Sequence, residues 1–237
     1  MAEEKTQSRE GAASRLFGRR KGRPLRVRKT HLMETFLPQV RIMLPEQGQI
    51  SIQEIFNDAA PSPLWMEIGF GGGEHLAAQA RLHPDIRFIG CEPFINGVAS
   101  LIDHLELGGI DNVRVFNDDA RLMLDALPVG SLDRCFVLFA DPWPKKRHAE
   151  RRFIGAENIA RIGRALKPGG MLRLASDHPV LIAHLREQMA AAADFTCTHH
   201  ATEPPADWVE TRYQQKAVAA GRVPVFMDYQ RKPTSAA

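Results

Sequence analysis

The sequence predicts an α/β fold: a Rossmann-like, mostly parallel sheet of seven strands, with helices on both faces and an edge pair able to run antiparallel. Three observations carry this. Short apolar runs alternate with helical spacings along residues 64–229, the pattern of right-handed βαβ units. A glycine-rich turn follows the first apolar run, and the run at 133–140 is almost wholly apolar, as expected of a strand covered on both faces. The chain of 237 residues is long enough to bury a sizeable core without a disulfide or metal staple.

The elements follow in order. Residues 1–28 are polar, rich in Gly and Arg, and aperiodic, which predicts a disordered basic arm and leaves 29–237 as a single domain. Residues 30–60 read as a partly helical preamble interrupted at Pro38 and Pro45. A strand at 64–70 leads through glycines to a helix at 74–81. A second strand, 86–91, ends at Glu92, and a helix at 95–107 stops at Gly108 and Gly109. Strands are expected at 113–117 and 133–140. Helical spacing over 153–166 stops at the breaker Lys167-Pro168-Gly169-Gly170. A strand at 171–175, a helix at 180–192, a strand at 195–198, a helix at 211–220 and a strand at 223–229 complete the chain. The last two strands are able to form an antiparallel edge pair.

Composition narrows the classes. With 44% apolar and 25% charged residues the chain is neither disordered throughout nor collagenous. The three cysteines, Cys91, Cys135 and Cys197, include no CxxC pair, so neither a disulfide framework nor a zinc site is expected, and a reducing cytoplasm suits them. The longest apolar run is six residues, 135–140, so no membrane span is expected, and without an apolar h-region near the N-terminus no secretory signal is expected. Nothing calls for an obligate protein partner. The net charge of +3 is uneven: residues 1–30 hold ten Lys or Arg against three Glu, and 15–29 hold eight basic residues and no acid. Such a run reads as a nucleic-acid-binding arm or as a solvated tail.

In open α/β sheets ligands lie beyond the carboxyl ends of the strands, and four of these ends carry chemistry. The first reads Glu67-Ile68-Gly69-Phe70-Gly71-Gly72-Gly73-Glu74. A dinucleotide fingerprint spaced from Gly69 would need glycine at position 74, beneath the pyrophosphate. Glu74 would instead repel it. The pattern suits a nucleoside ligand with a cationic end and no phosphate, such as S-adenosylmethionine. Glu92, at the second end, can accept from both ribose hydroxyls. At the third end Asp118 and Asp119 compete as acceptors from an adenine amino group, and either can instead cap a helix. The fourth end is Asp141-Pro142-Trp143-Pro144-Lys145-Lys146-Arg147-His148, with Arg151 and Arg152 beyond it. A carboxylate, stiffened backbone, an aromatic plate and clustered cations suit a stacked nucleobase with neutralised phosphates. Ser176-Asp177-His178 and Thr211-Arg212-Tyr213-Gln214 add to the list.

Taken together, E-I-G-F-G-x-G, D-P-W-P-K-K-R-H, S-D-H and T-R-Y resemble the bacterial tRNA (guanine-N7-)-methyltransferases, class I S-adenosylmethionine enzymes, over about residues 35–232. The resemblance implies methylation of N7 of guanine 46 in the tRNA variable loop, with tRNA as the partner and no metal. It implies that Glu67, Gly69, Gly71, Glu92, Asp119 and Asp141 meet the methyl donor, with Asp141 also the catalytic residue. Lys145, Asp177, Thr211, Arg212, Tyr213 and Gln214 would meet the substrate, and Arg147, His148, Arg151 and Arg152 the RNA. One position departs: the last motif usually ends in Glu, and this chain has Gln214. Two other readings compete. A nicotinamide-dependent oxidoreductase shares the fold class but conflicts with Glu74. A non-catalytic RNA-binding protein leaves Glu67, Glu92 and Asp141 without a task.

Overall fold

The computed structural model describes residue 18 and residues 20–233. Seven strands form one sheet: β1 (Leu64–Ile68), β2 (Arg87–Cys91), β3 (Val113–Phe116), β4 (Leu132–Leu138), β5 (Leu166–Ser176), β6 (Phe195–Ala201) and β7 (Val225–Arg231). Their order is β3-β2-β1-β4-β5-β7-β6. The first five run parallel, and β7 is antiparallel to both β5 and β6, so that edge is the expected antiparallel pair. The order reverses direction at β1, and there the crevice opens.

Helices cover the two faces. On one lie α1 (Val27–Thr35), α2 (Leu37–Val40), α4 (Glu74–Leu82) and α5 (Ile95–Gly108); on the other lie α3 (Ile52–Phe56), α6 (Ala120–Ala126), α7 (Ala156–Ala165) and α8 (Pro179–Ala190). Alternation along β4 divides the core accordingly. Phe136 and Leu138 face α4 and α5, whereas Cys135 and Val137 face α6 to α8. α9 (Arg212–Ala219) and a 3₁₀ helix, Lys146–Arg151, lie beyond the strand ends. Among the described residues no helix is long and apolar enough to cross a membrane.

Two stretches differ from expectation. The helix α6 had its signal in Ala120, Met123, Leu124 and Leu127, all buried at helical spacing. Its seven residues make only about two turns, too short to stand out. The breaker at 167–170 does not precede β5 but lies within it: Gly169 adopts φ +80°, and pairing with β4 shifts register between Leu132 and Arg134.

The expected arm 1–28 falls partly outside the described residues. What is described of it lies against the body. Ile95 N–H donates to Arg20 O at 3.0 Å, Gly22 N–H donates to Asn96 Oδ1 at 2.8 Å, and Asn96 Nδ2 donates to Arg23 O at 2.7 Å. Arg28 reaches Asp103 at 2.8 Å and Glu106 at 2.5 Å on α5. Residues 1–17 carry three basic and three acidic side chains. The positive surplus therefore belongs to the docked stretch.

Candidate active site

A cavity of about 770 Å³ opens at the carboxyl ends of β1 to β4, within the usual range for small-molecule sites. Each strand end contributes in a defined way.

The turn after β1 takes left-handed backbone at Gly69 and Gly71, φ +73° and +57°, which glycine adopts without a Cβ penalty. Glu92 fixes this turn from the end of β2. Its Oε2 accepts Gly71 N–H at 2.9 Å and its Oε1 accepts Phe94 N–H at 2.9 Å. A Cβ at Gly97 of α5 would collide with the Gly71 carbonyl, so position 97 needs glycine. Burial pushes the Glu92 carboxyl above its ordinary value; the two N–H bonds oppose this, and the Asp141 and Glu67 charges add to it.

At the end of β3, Asp119 lines the cavity and caps α6, accepting Arg121 N–H at 3.0 Å. The Arg121 guanidinium also engages both Asp119 oxygens. Asp118 turns outward to Arg20 at 2.8 Å. Of the two carboxylates, Asp119 is the one that lines the cavity.

The segment after β4 is strained at two points. Phe139 and Trp143 adopt φ +51° and +40°, a region that costs non-glycine residues of order 1–3 kcal/mol and clusters at functional sites. Between them Asp141 presents an exposed carboxylate to the cavity. Arg152 holds the strained segment by donating to Pro142 O and Trp143 O, both at 3.1 Å. The Arg151 guanidinium lies 5.0 Å from the Trp143 ring centre, and His148 meets the ring edge-on. Desolvation, with the cations Arg151, Arg147 and Lys145, pushes the His148 imidazole below its ordinary value.

The sequence-predicted residues divide into two groups. Gly69, Gly71, Glu92, Asp119, Asp141, Arg151, Arg152 and Tyr213 meet at the cavity. Glu67, Lys145, Arg147, His148, Asp177, Thr211, Arg212 and Gln214 do not line it. Glu67 is buried against His75 of α4 at 2.7 Å. Asp177 pairs with Arg222 at 2.7 Å beside a separate, shallower groove. Thr211 is buried and caps α9 by accepting Gln214 N–H at 3.0 Å. Arg212 faces Glu74 at 3.8 Å. Sequence reasoning assigned no role to Phe94, Arg121 or Phe139 in the cavity wall. Each stands two residues from a strand-end carboxylate, Glu92, Asp119 or Asp141, and that was the usable signal.

Three carboxylates around bare glycine backbone suit a ligand that is cationic and rich in hydroxyls. They do not suit a pyrophosphate: the Glu74 carboxylate folds back over Gly72, where a phosphate would approach the helix N-terminus.

The chain is similar to known methyltransferases. A family model described as "Putative methyltransferase" matches residues 61–227. A tRNA (guanine-N(7)-)-methyltransferase of Paramagnetospirillum magneticum is 47% identical over 222 residues, covering 92% of this chain and 93% of that protein. One from Rhodospirillum rubrum is 43% identical, covering 94% and 90%. Among solved structures, the 16S rRNA methyltransferase KamB superposes with TM-score 0.58 at 13% identity, over 81% of this chain and 99% of that one. The antibiotic-resistance methyltransferase Kmr gives 0.51 at 19%, over 81% and 100%. These two likenesses concern the fold.

Proposed function

The chain belongs to the tRNA (guanine-N7-)-methyltransferases, and from that premise we propose how its cavity divides the work. The protein is an S-adenosylmethionine-dependent enzyme that methylates N7 of guanine in tRNA. The observation that carries the site reading is the convergence of Glu92, Asp119 and Asp141 on one cavity that Trp143, Arg151 and Arg152 border.

The donor supplies a sulfonium-activated methyl group, which leaves sulfur as its bond to N7 forms. Guanine N7 already exposes a lone pair, so neither a metal nor a strong base is called for. The chain's task is alignment and electrostatics. The glycine turn lets a ligand approach backbone closely, Glu92 accepts from ribose hydroxyls, and Asp119 accepts from the adenine amino group as Arg121 yields one oxygen. Asp141 accepts from guanine N1–H and the exocyclic amine, and its charge favours the purine as it becomes cationic. In A-form RNA, N7 faces a deep, narrow groove, so the target base must be exposed or flipped into the cavity. Trp143 is placed to stack on it, and Arg151 and Arg152 to neutralise nearby phosphates. Lys145 is exposed outside the cavity, which favours a phosphate rather than O6 as its partner. Asp177, held by Arg222, steadies the substrate side from outside. The proposed target is guanine 46 of the variable loop, and the proposed location is the cytoplasm.

The test is incubation with labelled S-adenosylmethionine and unmodified tRNA, followed by mapping of the labelled nucleotide. N7-methylguanine at position 46 is expected. Label at another base, or tRNA binding without transfer, would overturn the assignment.

A further inference from the structure

Over β5 and β7, the sheet face that α4 and α5 cover elsewhere is closed by residues 202–211, and that strap is pinned at one point. Asp207 accepts from Arg173 Nη2 at 2.8 Å and from Arg134 Nη1 at 2.5 Å. Arg173 is buried and also forks onto Asp228, with both bonds 2.8 Å. The next residue, Trp208, packs edge-on against Phe226 at 4.6 Å. Its indole Nε1 donates to Gln214 Oε1 at 2.6 Å. Gln214 is in the first turn of α9, where its own N–H binds Thr211 Oγ1. Its neighbour Tyr213 lines the cavity. There the tyrosine ring and hydroxyl come within 3.1 and 3.2 Å of where a Cβ on Gly71 would stand.

The contacts form a line: Arg173, Asp207, Trp208, Gln214, Tyr213, Gly71. The family resemblance gives the Gln214 position a substrate contact, but in this chain its acceptor oxygen is committed to the indole. We infer that Gln214 is a positioning residue: through Trp208 it sets the start of α9 so that Tyr213 closes over the glycine turn that seats the methyl donor. This rests on the donor reading above. The indole needs only an acceptor oxygen, which glutamine supplies without the charge of the family's usual glutamate. A carboxylate would add another negative group beside Glu92, Asp141 and Glu74. Burial and those same three charges already raise the Tyr213 phenol.

The experiment is calorimetric titration of the full chain with S-adenosylhomocysteine, with tRNA binding measured in parallel. The variants are Gln214→Met, Trp208→Phe, the double variant and Gln214→Glu. Loss of one net hydrogen bond predicts that each of the first two weakens S-adenosylhomocysteine roughly 2- to 10-fold. The double variant should be no worse than the weaker single one, and Gln214→Glu should recover most of the loss. tRNA affinity should stay within about twofold. The inference is overturned if Gln214→Met binds S-adenosylhomocysteine as wild type does while tRNA affinity or single-turnover rate falls, because Gln214 is then a substrate contact. It is also overturned if the two single losses multiply in the double variant. Gln214→Met alone decides the matter if Trp208→Phe fails to fold. Failure of the wild-type protein to bind S-adenosylhomocysteine is a distinct result, since it removes the donor reading itself.

Discussion

His75 Nδ1 and Glu67 Oε2 stand 2.7 Å apart, and both side chains are only 4% exposed. The pair joins the first turn of α4 to the end of β1 beneath the Trp208 ring, which lies 5.9 Å from the imidazole. Gln79 approaches the other imidazole nitrogen at 3.3 Å. We propose that a carboxylate engaged in this way supports the floor of the glycine turn.

Glu67→Gln is therefore expected to leave S-adenosylhomocysteine affinity within threefold of wild type. His75→Leu, which strands the carboxylate, should lower stability by about 3 kcal/mol. Urea unfolding and calorimetry measure the two. A tenfold affinity loss in Glu67→Gln would make Glu67 a donor contact.

Asp141→Asn should nearly abolish methyl transfer while leaving the fold intact, since the amide cannot offset a cationic purine. Turnover within threefold of wild type, with circular dichroism unchanged, would remove Asp141 from catalysis.

Glu92→Ala should weaken the donor far more than tRNA. Loss of charge-assisted bonds of about 1.5–3 kcal/mol corresponds to roughly 10- to 150-fold. Because burial raises the Glu92 carboxyl, acidification should protonate it, and weaken donor binding, at a higher pH than for an ordinary glutamate. Glu92→Gln should remove that component of the pH profile; an unchanged profile would assign it to another group.

Asp207 bears on acid stability. Burial alone would raise its carboxyl, but hydrogen bonds from Arg173 and Arg134 bring it down to about 2, against an ordinary 3.8. A depressed carboxyl stabilises the fold above its unfolded value, and this contribution is lost as pH falls through the folded value. Asp207→Asn should therefore reduce stability at pH 5 and flatten its decline between pH 3.8 and about 2. Parallel curves for the two proteins would mean that the network contributes nothing.

The basic stretch is docked against α5, which changes the expected effect of truncation. Deleting 1–17 removes no net charge, so the salt dependence of tRNA binding should hold. Lys21, Arg23 and Arg26 are exposed, and replacing all three with Ser should reduce the log–log salt slope by about 2. Lys145→Ala should lower the single-turnover rate even at saturating tRNA. If saturation restores the full rate, Lys145 adds only affinity.

The sheet, most of its helices, and the four chemical strand ends were legible because each is local: an apolar run, a glycine turn, a carboxylate. Asp141 and Glu92 could be found from their place at a strand end. The partners of Glu67, Asp177 and Gln214 could not. Arg222 lies 45 positions after Asp177, and nothing in either local spacing connects them. The docked residues 20–28 escaped for a related reason, since hydrogen bonds between Asn96 and backbone leave no trace in side-chain periodicity.

The two bonds from Arg152 to the carbonyls of Pro142 and Trp143 carry a kinetic consequence. A loop held in shape before its partner arrives has little conformational entropy left to lose on encounter. Association should then be governed by diffusion and charge steering rather than by folding of the site. Arg152→Lys, which keeps the charge but loses the fork, should slow the formation of productive complexes more than it hastens their decay.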